Sequence, residues 1–178
     1  PLANRLGIWQ LKWELEDLAF RVLQAEDYLR IAQSLDDNRS GRERYIEAVR
    51  AQLRDAVASH GIEADVAGRP KHIYSIWKKM QRKALPIEEL YDLRALRVLV
   101  DDIPTCYAVL GLVHALWVPI PSEFDDYIAR PKPNGYRSLH TAVIGPEGKT
   151  VEVQIRTREM HAQSELGVAA HWRYKEGS

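Results

Sequence analysis

The sequence predicts an α+β protein: a mixed β-sheet flanked by helices and preceded by a helical N-terminal segment. Apolar residues recur every three or four positions up to residue 60, strand and helix patterns alternate after Gly61, and a two-strand hairpin signal follows near residue 145. With 178 residues, 46% of them apolar, the chain can bury a real core, so disorder is not the default reading.

Within residues 1–60, Leu11, Leu15, Leu18 and Val22 repeat at helical spacing, and so do Tyr45, Val49, Leu53 and Val57. The polar run Asp36-Asp37-Asn38-Arg39-Ser40-Gly41 interrupts the pattern and Gly61 ends it, which gives three helices in a connector segment ahead of a domain at 61–178. There, residues 62–67 read as a strand, 72–83 as a helix, 92–100 as a strand and 105–117 as a helix. Residues 119–136 form a proline-bearing loop too long for a mere connection, and such loops usually carry function. Residues 140–144 and 150–156 flank the turn Gly145-Pro146-Glu147-Gly148, and a closing helix is expected at 159–174.

The 25 basic and 25 acidic residues balance, so no net field draws a polyanion to the whole molecule and anion binding must come from local clusters. A single cysteine, Cys106, excludes an internal disulfide and a cysteine-rich zinc site, and points to an intracellular, cytoplasmic chain. The start at Pro1 shows no signal pattern and no apolar run spans a bilayer, so the sequence reads as a soluble fragment with no membrane partner.

Four stretches can carry chemistry. In RPKHIYSIWKKMQRK, Arg69, Lys71, Lys78, Lys79, Arg82 and Lys83 stand with no acid among them. At a strand-to-helix turn, Arg69, Lys71 and the first helical N–H groups can converge on a phosphate, with Ser75 and Lys79 on one helix face. The same pattern also suits a solvated amphipathic helix that buries Ile73, Ile76, Trp77 and Met80. In ELYDLRALRVLV, Asp92 stands at a strand mouth, where it can hold magnesium beside a triphosphate or simply pair with Arg94. Strict alternation puts Asp92 and Arg97 on opposite faces, so their joint use needs a bulge or an early Asp92.

In KTVEVQIRT, Val151, Val153 and Ile155 line one face while Glu152, Gln154 and Arg156 line the other, either as a polar cleft or as a solvent face. Glu152 can serve there as metal ligand or general base. In DDYIARPKPNGYRSLHT, Pro131, Pro133 and Gly135 shape a backbone presenting Lys132, Asn134, Tyr136 and His140, with Tyr136 offering a ring for a base or for the core. Two readings are set aside. GPEGKT lacks the first glycine of a phosphate-binding loop, where Val143 stands, and no histidine has ligand spacing or a following aspartate.

Taken in order, RPKHIYSIWKKM, ELYDLRALRVLV, DDYIARPKPNGYRSLHTAV, VEVQIRT and ELGVAAHWRYKEG closely resemble the synthetase domain of RelA/SpoT (p)ppGpp synthetases over roughly residues 62–177. LGIWQLKWELEDLAFRVL is similar to the helical connector that follows the hydrolase region in long members, and that region is missing from this sequence. The resemblance implies a nucleotidyltransferase-like sheet and a magnesium-dependent transfer of pyrophosphate from ATP to the 3′-hydroxyl of GDP or GTP, with AMP as second product. It implies that Arg69 and Arg97 sandwich adenine, that Lys71, Ser75 and Lys79 lie near the ATP phosphates, and that Asp92 binds magnesium. Glu152 would activate the 3′-hydroxyl and touch the metal, Tyr136 would stack on guanine, and Lys132, Asn134, His140 and Gln154 would complete the acceptor site.

The loop Glu123-Phe124-Asp125-Asp126 resembles the acidic version of monofunctional, RelA-type enzymes, whereas bifunctional ones carry a basic version. Ribosome and uncharged tRNA would act through C-terminal regions of long members that this sequence lacks. The alternative from another class is a catalytically silent nucleotide-binding module. An RNA-binding helical domain rests on the basic cluster alone, and the neutral overall charge opposes it.

Overall fold

The computed structural model describes residues 9–69, 71–87, 90 and 94–166. Three N-terminal helices are present as expected: α1 (Trp9–Leu23), α2 (Ala25–Asp37) and α3 (Arg39–Ser59). The break between α2 and α3 is Asn38 alone, and Ser40 and Gly41 already lie in α3. Gly61, at φ +70°, then lets the chain leave α3 in the left-handed region, where a Cβ is disfavoured.

The sheet contains β1 (Asp65–Gly68), β2 (Arg94–Val100), β3 (Val118–Pro119), β4 (Asp125–Asp126), β5 (Leu139–Ile144) and β6 (Thr150–Thr157). Its order is β1-β2-β6-β5-β3, with β4 also paired to β5. The β2–β6 pair is parallel and the others antiparallel, so the sheet is mixed as the α+β expectation requires. The remaining helices are α4 (Ile73–Lys83), α5 (Ile103–Leu116) and α6 (Arg158–Leu166).

Some boundaries differ from the sequence reading, each for a local reason. The first strand starts at Asp65, where pairing to β2 begins at Leu99. Helix α5 starts two residues early because the Asp102 carboxylate accepts from the Thr105 N–H at 2.8 Å and its hydroxyl at 2.7 Å, with Pro104 in the first turn. The long loop contains a 3-10 turn and β4, a strand too short to show a period. Residues 167–174 of the expected closing helix lie outside the described residues.

The sheet buries one face against α3 and α5. Tyr45, Val49, Leu53 and Val57 of α3 meet Leu96, Val98 and Val100 of β2, Val151, Val153 and Ile155 of β6, and Cys106, Val109 and Val113 of α5. This packing crosses residue 60. A second, smaller core joins α1, α2 and α4 through Phe20, Ile31, Ile76 and Met80. Periodicity at Leu11, Leu15, Leu18 and Val22 marks the helix correctly, yet these side chains are 43% to 80% exposed. Helix α1 packs instead through Phe20, whose ring lies 5.1 Å from that of Trp77.

Candidate active site

Strand register assembles the candidate site on the face turned away from the larger core. Arg97 pairs with Gln154, Gln154 with His140, and His140 with Asp125, so one rung carries all four residues across β2, β6, β5 and β4. Side chains alternate along a strand, so this rung points away from Val153 and Ile155. The neighbouring rung is Ala95, Glu152 and Ala142. Two alanines flanking the carboxylate leave open space beside it.

Helix α4 closes over that space. Lys79 Nζ donates to Glu152 Oε1 at 2.7 Å, and Lys71 Nζ lies 2.9 Å from Oε2. Burial raises the Glu152 pKa, but the charges of Lys71 and Lys79 and their hydrogen bonds outweigh it and bring the carboxyl down to about 2. Burial lowers both lysines, and Glu152 offsets part of that. The cluster therefore holds a firmly ionised acid between two partly desolvated ammonium groups.

Two cavities adjoin here. One, of about 140 Å³, is lined by Arg69, Lys71, Ser75, Lys79 and Glu152, which includes most residues expected at the donor nucleotide. The other, of about 240 Å³, is lined by Lys132, His140, Gln154, Glu123 and Asp125, residues expected at the acceptor and its loop, and again by Lys79 and Glu152. Glu152 and Lys79 thus form the wall between them. Arg97 lines neither; it is half-buried, and burial with the neighbouring Arg69 charge lowers its pKa.

Tyr136 and Asn134 do not line the second cavity; Tyr136 is 6% exposed and lies against His140, which does. Its hydroxyl shares a 2.8 Å hydrogen bond with His140 Nε2, and the rings meet edge to face at 5.6 Å. Burial, with the charges of Arg69 and Lys132, pushes the His140 pKa down to about 3, so the imidazole is neutral. Lys132 Nζ lies 4.6 Å from the Tyr127 ring centre and 5.3 Å from that of Tyr136. Asn134 has a local task, accepting the Tyr136 N–H at 3.2 Å. Asp126 shapes the loop: it accepts from Tyr107 at 2.7 Å and from the N–H groups of Ile128 and Ala129. Glu123 pairs with Lys83 of α4 at 3.0 Å.

The start of α4 departs from the sequence reading. The Tyr74 N–H, expected to face an anion together with Arg69 and Lys71, donates to Asp17 of α1 at 2.7 Å. Trp13 of α1 stacks on His72, and the Arg69 guanidinium lies 5.8 Å from the Trp13 ring centre. Arg94, which by alternation shares the core face, lies over Tyr45 at 5.2 Å. Asp92 lies outside the described residues, and with it the expected meeting of Asp92 and Glu152. Among the described residues, no three His, Cys, Asp or Glu side chains converge as a metal cage. Magnesium suits another donor set, one or two carboxylates plus substrate phosphates, and Glu152 at the wall between two cavities fits that description.

The sequence reading did not single out Ala95, Ala142, Tyr127 or Asp17. Alanines carry no chemical signal, and Asp17 acts on a helix 57 residues away. Tyr127 stood in plain view in the acidic loop, one residue after the acids.

A family model described as a region found in RelA/SpoT proteins matches residues 68–178. The chain belongs to the RelA/SpoT family. It is 59% identical over 178 residues to an Escherichia coli K12 protein named GTP pyrophosphokinase, covering all of this chain and 24% of that protein. It is 48% identical over 178 residues to an Aquifex aeolicus protein named guanosine-3′,5′-bis(diphosphate) 3′-pyrophosphohydrolase, covering 99% of this chain and 26% of that one. The chain therefore spans about a quarter of the length of the curated relatives it matches. Among solved structures, the small alarmone synthetase 1 of Bacillus subtilis bound to its product pppGpp superposes with a TM-score of 0.60 at 26% identity, covering 82% of this chain and 84% of that one. The mixed sheet with flanking helices is thus the fold of a RelA/SpoT-type synthetase. Among the described residues, no helix is long and apolar enough to cross a membrane.

Proposed function

We propose that this chain carries a pyrophosphokinase centre that moves pyrophosphate from ATP to the 3′-hydroxyl of GDP or GTP. The observation that carries this reading is the pair of adjoining cavities, one lined by Arg69, Lys71 and Ser75 and the other by Lys132, His140 and Gln154, with Glu152 and Lys79 shared by both. Two polyanions brought together in line need charge absorbed on the donor and a proton removed from the acceptor.

In this reading the smaller cavity takes the ATP phosphates against Lys71, Ser75 and Lys79, with Arg69 and Arg97 toward the base. Gln154, His140 and Lys132 hold the acceptor, and Tyr136 stacks its base once Lys132 and Tyr127 have moved off the ring. The acceptor oxygen forms a bond to the β-phosphorus as the bond from that phosphorus to the α-phosphate oxygen breaks. AMP leaves with that oxygen, and Glu152 takes the hydroxyl proton. Near its present pKa of about 2 Glu152 is a poor base. A triphosphate competes for Lys71 and Lys79, and each lysine it withdraws lets that pKa climb. Magnesium, when bound at Glu152 and at Asp92 as the resemblance implies, would neutralise phosphate charge and acidify the hydroxyl.

The acidic loop suggests the monofunctional subtype, supported by the Glu123 pairing with Lys83, which draws this loop to the basic helix. A Glu123→Arg, Asp125→Lys double variant sets new cations beside Lys83 and should lower the magnesium needed for half-maximal activity; an unchanged optimum opposes the assignment. The decisive experiment incubates the protein with ATP, GDP and magnesium and follows AMP. AMP formed together with a 3′-pyrophosphorylated guanine nucleotide supports transfer. Nucleotide binding without AMP supports the silent module instead.

A further inference from the structure

The proposed chemistry uses Glu152 and Gln154 from β6 and leaves their neighbour Arg156 without a task. That residue is fully buried, at 0% exposure. Nη1 donates to Ser164 Oγ at 3.3 Å and Nη2 donates to His161 Nδ1 at 2.6 Å, both neutral acceptors on α6. Because a guanidinium only donates, His161 receives through a bare Nδ1 and is neutral. Nε has no hydrogen-bond partner, and no carboxylate among the described residues forms an ion pair with the group, although the charge of Glu165 on α6 offsets part of its burial. Burying a cation this way is costly, and a methionine of similar length would fill the space at less cost. A purely structural tie between β6 and α6 therefore does not account for the charge.

What the charge faces is an aromatic ring. The Arg156 guanidinium carbon lies 6.0 Å from the Tyr136 ring centre. Tyr136 sits in an irregular segment, held by Asn134 through its N–H and by His140 through its hydroxyl, and its ring meets those of His140 and Tyr127 edge to face at 5.6 and 6.3 Å. Of the groups against the ring, Lys132 and Tyr127 come from the long loop, whereas Arg156 stands on the central strand and its two outer nitrogens are held by α6. We propose that Arg156 is a positioning residue, a buried cation that sets the plane of Tyr136 so that an acceptor guanine can stack on it.

This inference rests on the proposed assignment of Tyr136 to the acceptor base, and wild-type turnover is measured first so that the two failures separate. Absence of AMP counts against the proposed reaction alone. The Arg156 comparison then continues with GDP affinities from calorimetry in place of KM. With turnover present, Arg156→Met should raise the GDP KM about tenfold, the size of a desolvated cation–π contact, while kcat and the ATP KM stay within about twofold. Arg156→Lys keeps the cation without the fork and should recover part of that loss. In a Tyr136→Ala background, Arg156→Met should add no further increase. If Arg156→Met fails to fold, His161→Leu loosens the guanidinium instead and should raise the GDP KM about threefold. A fall in kcat at unchanged GDP KM overturns the proposal, as does full additivity with Tyr136→Ala.

Discussion

Replacing Glu152 with glutamine removes one charge at nearly constant volume from a cluster of three. Its carboxyl lies at about 2 in the fold against an ordinary 4.5. At about 1.4 kcal/mol per pKa unit, the fold gains about 3 kcal/mol from ionising it. That figure is an upper bound, because burial lowers Lys71 and Lys79 in the same cluster. For a domain of this size it corresponds to a Tm loss of roughly 6–12 °C at pH 7 without metal, which leaves the protein folded at room temperature.

The sign with pH is fixed. The folded pKa lies below the unfolded one, so the stabilisation is complete above the unfolded value and is lost as pH falls toward the folded value. The Tm gap between wild type and Glu152→Gln, measured by thermal melts in EDTA, should therefore narrow below about pH 4.5, by roughly 40% at pH 3.5. A glutamine cannot take the acceptor proton, so AMP release should drop by about 10²- to 10⁴-fold. A gap independent of pH would refute the ion-pair reasoning, and turnover within tenfold of wild type would refute the base assignment.

Three further outcomes are expected. In Gly145→Ala, a Cβ would lie 2.9 Å from the Tyr45 hydroxyl and 3.1 Å from Val151, so urea denaturation should show a loss of about 1–3 kcal/mol. Tyr45→Phe alone gives up a 2.8 Å hydrogen bond to the Pro146 carbonyl, worth about 1 kcal/mol, yet in the Gly145→Ala background it should restore part of the stability. Leu53→Ala, at a fully buried site between α3 and the sheet, should cost about 2–5 kcal/mol in the same assay. Tyr136→Ala should raise the GDP KM and leave the ATP KM unchanged; equal losses for both nucleotides would contradict base stacking on this ring.

Much of the fold was legible because period carries it. Val151, Val153 and Ile155 alternate with Glu152, Gln154 and Arg156, and the structure puts the first set in the core and the second on the polar face. Periodicity identifies an element without naming its partner, which is why the leucines of α1 mark a helix and still face water. The chemistry of Lys71, Lys79 and Glu152 was legible as residue types. Their meeting depends on the parallel β2–β6 register and on α4 lying across it, and no local pattern encodes either. The rung from Arg97 to Asp125 was hidden for the same reason, since β4 has only two residues. Asp17 capping another helix is a tertiary substitution for the cap that His72 does not make.

The parallel pairing at the middle of the sheet has a consequence for how the protein matures. Residues 94–100 can pair with residues 65–68 early, but their other edge waits for residues 150–157, the last of the described strands. Most helices and β1 can form earlier, but a chain without β6 would display Lys71 and Lys79 without Glu152, the acid they share. Long-range pairings of this kind close slowly. The proposed site therefore waits for β6, and a chain stalled before it is an incomplete sheet that lacks Glu152, the proposed base.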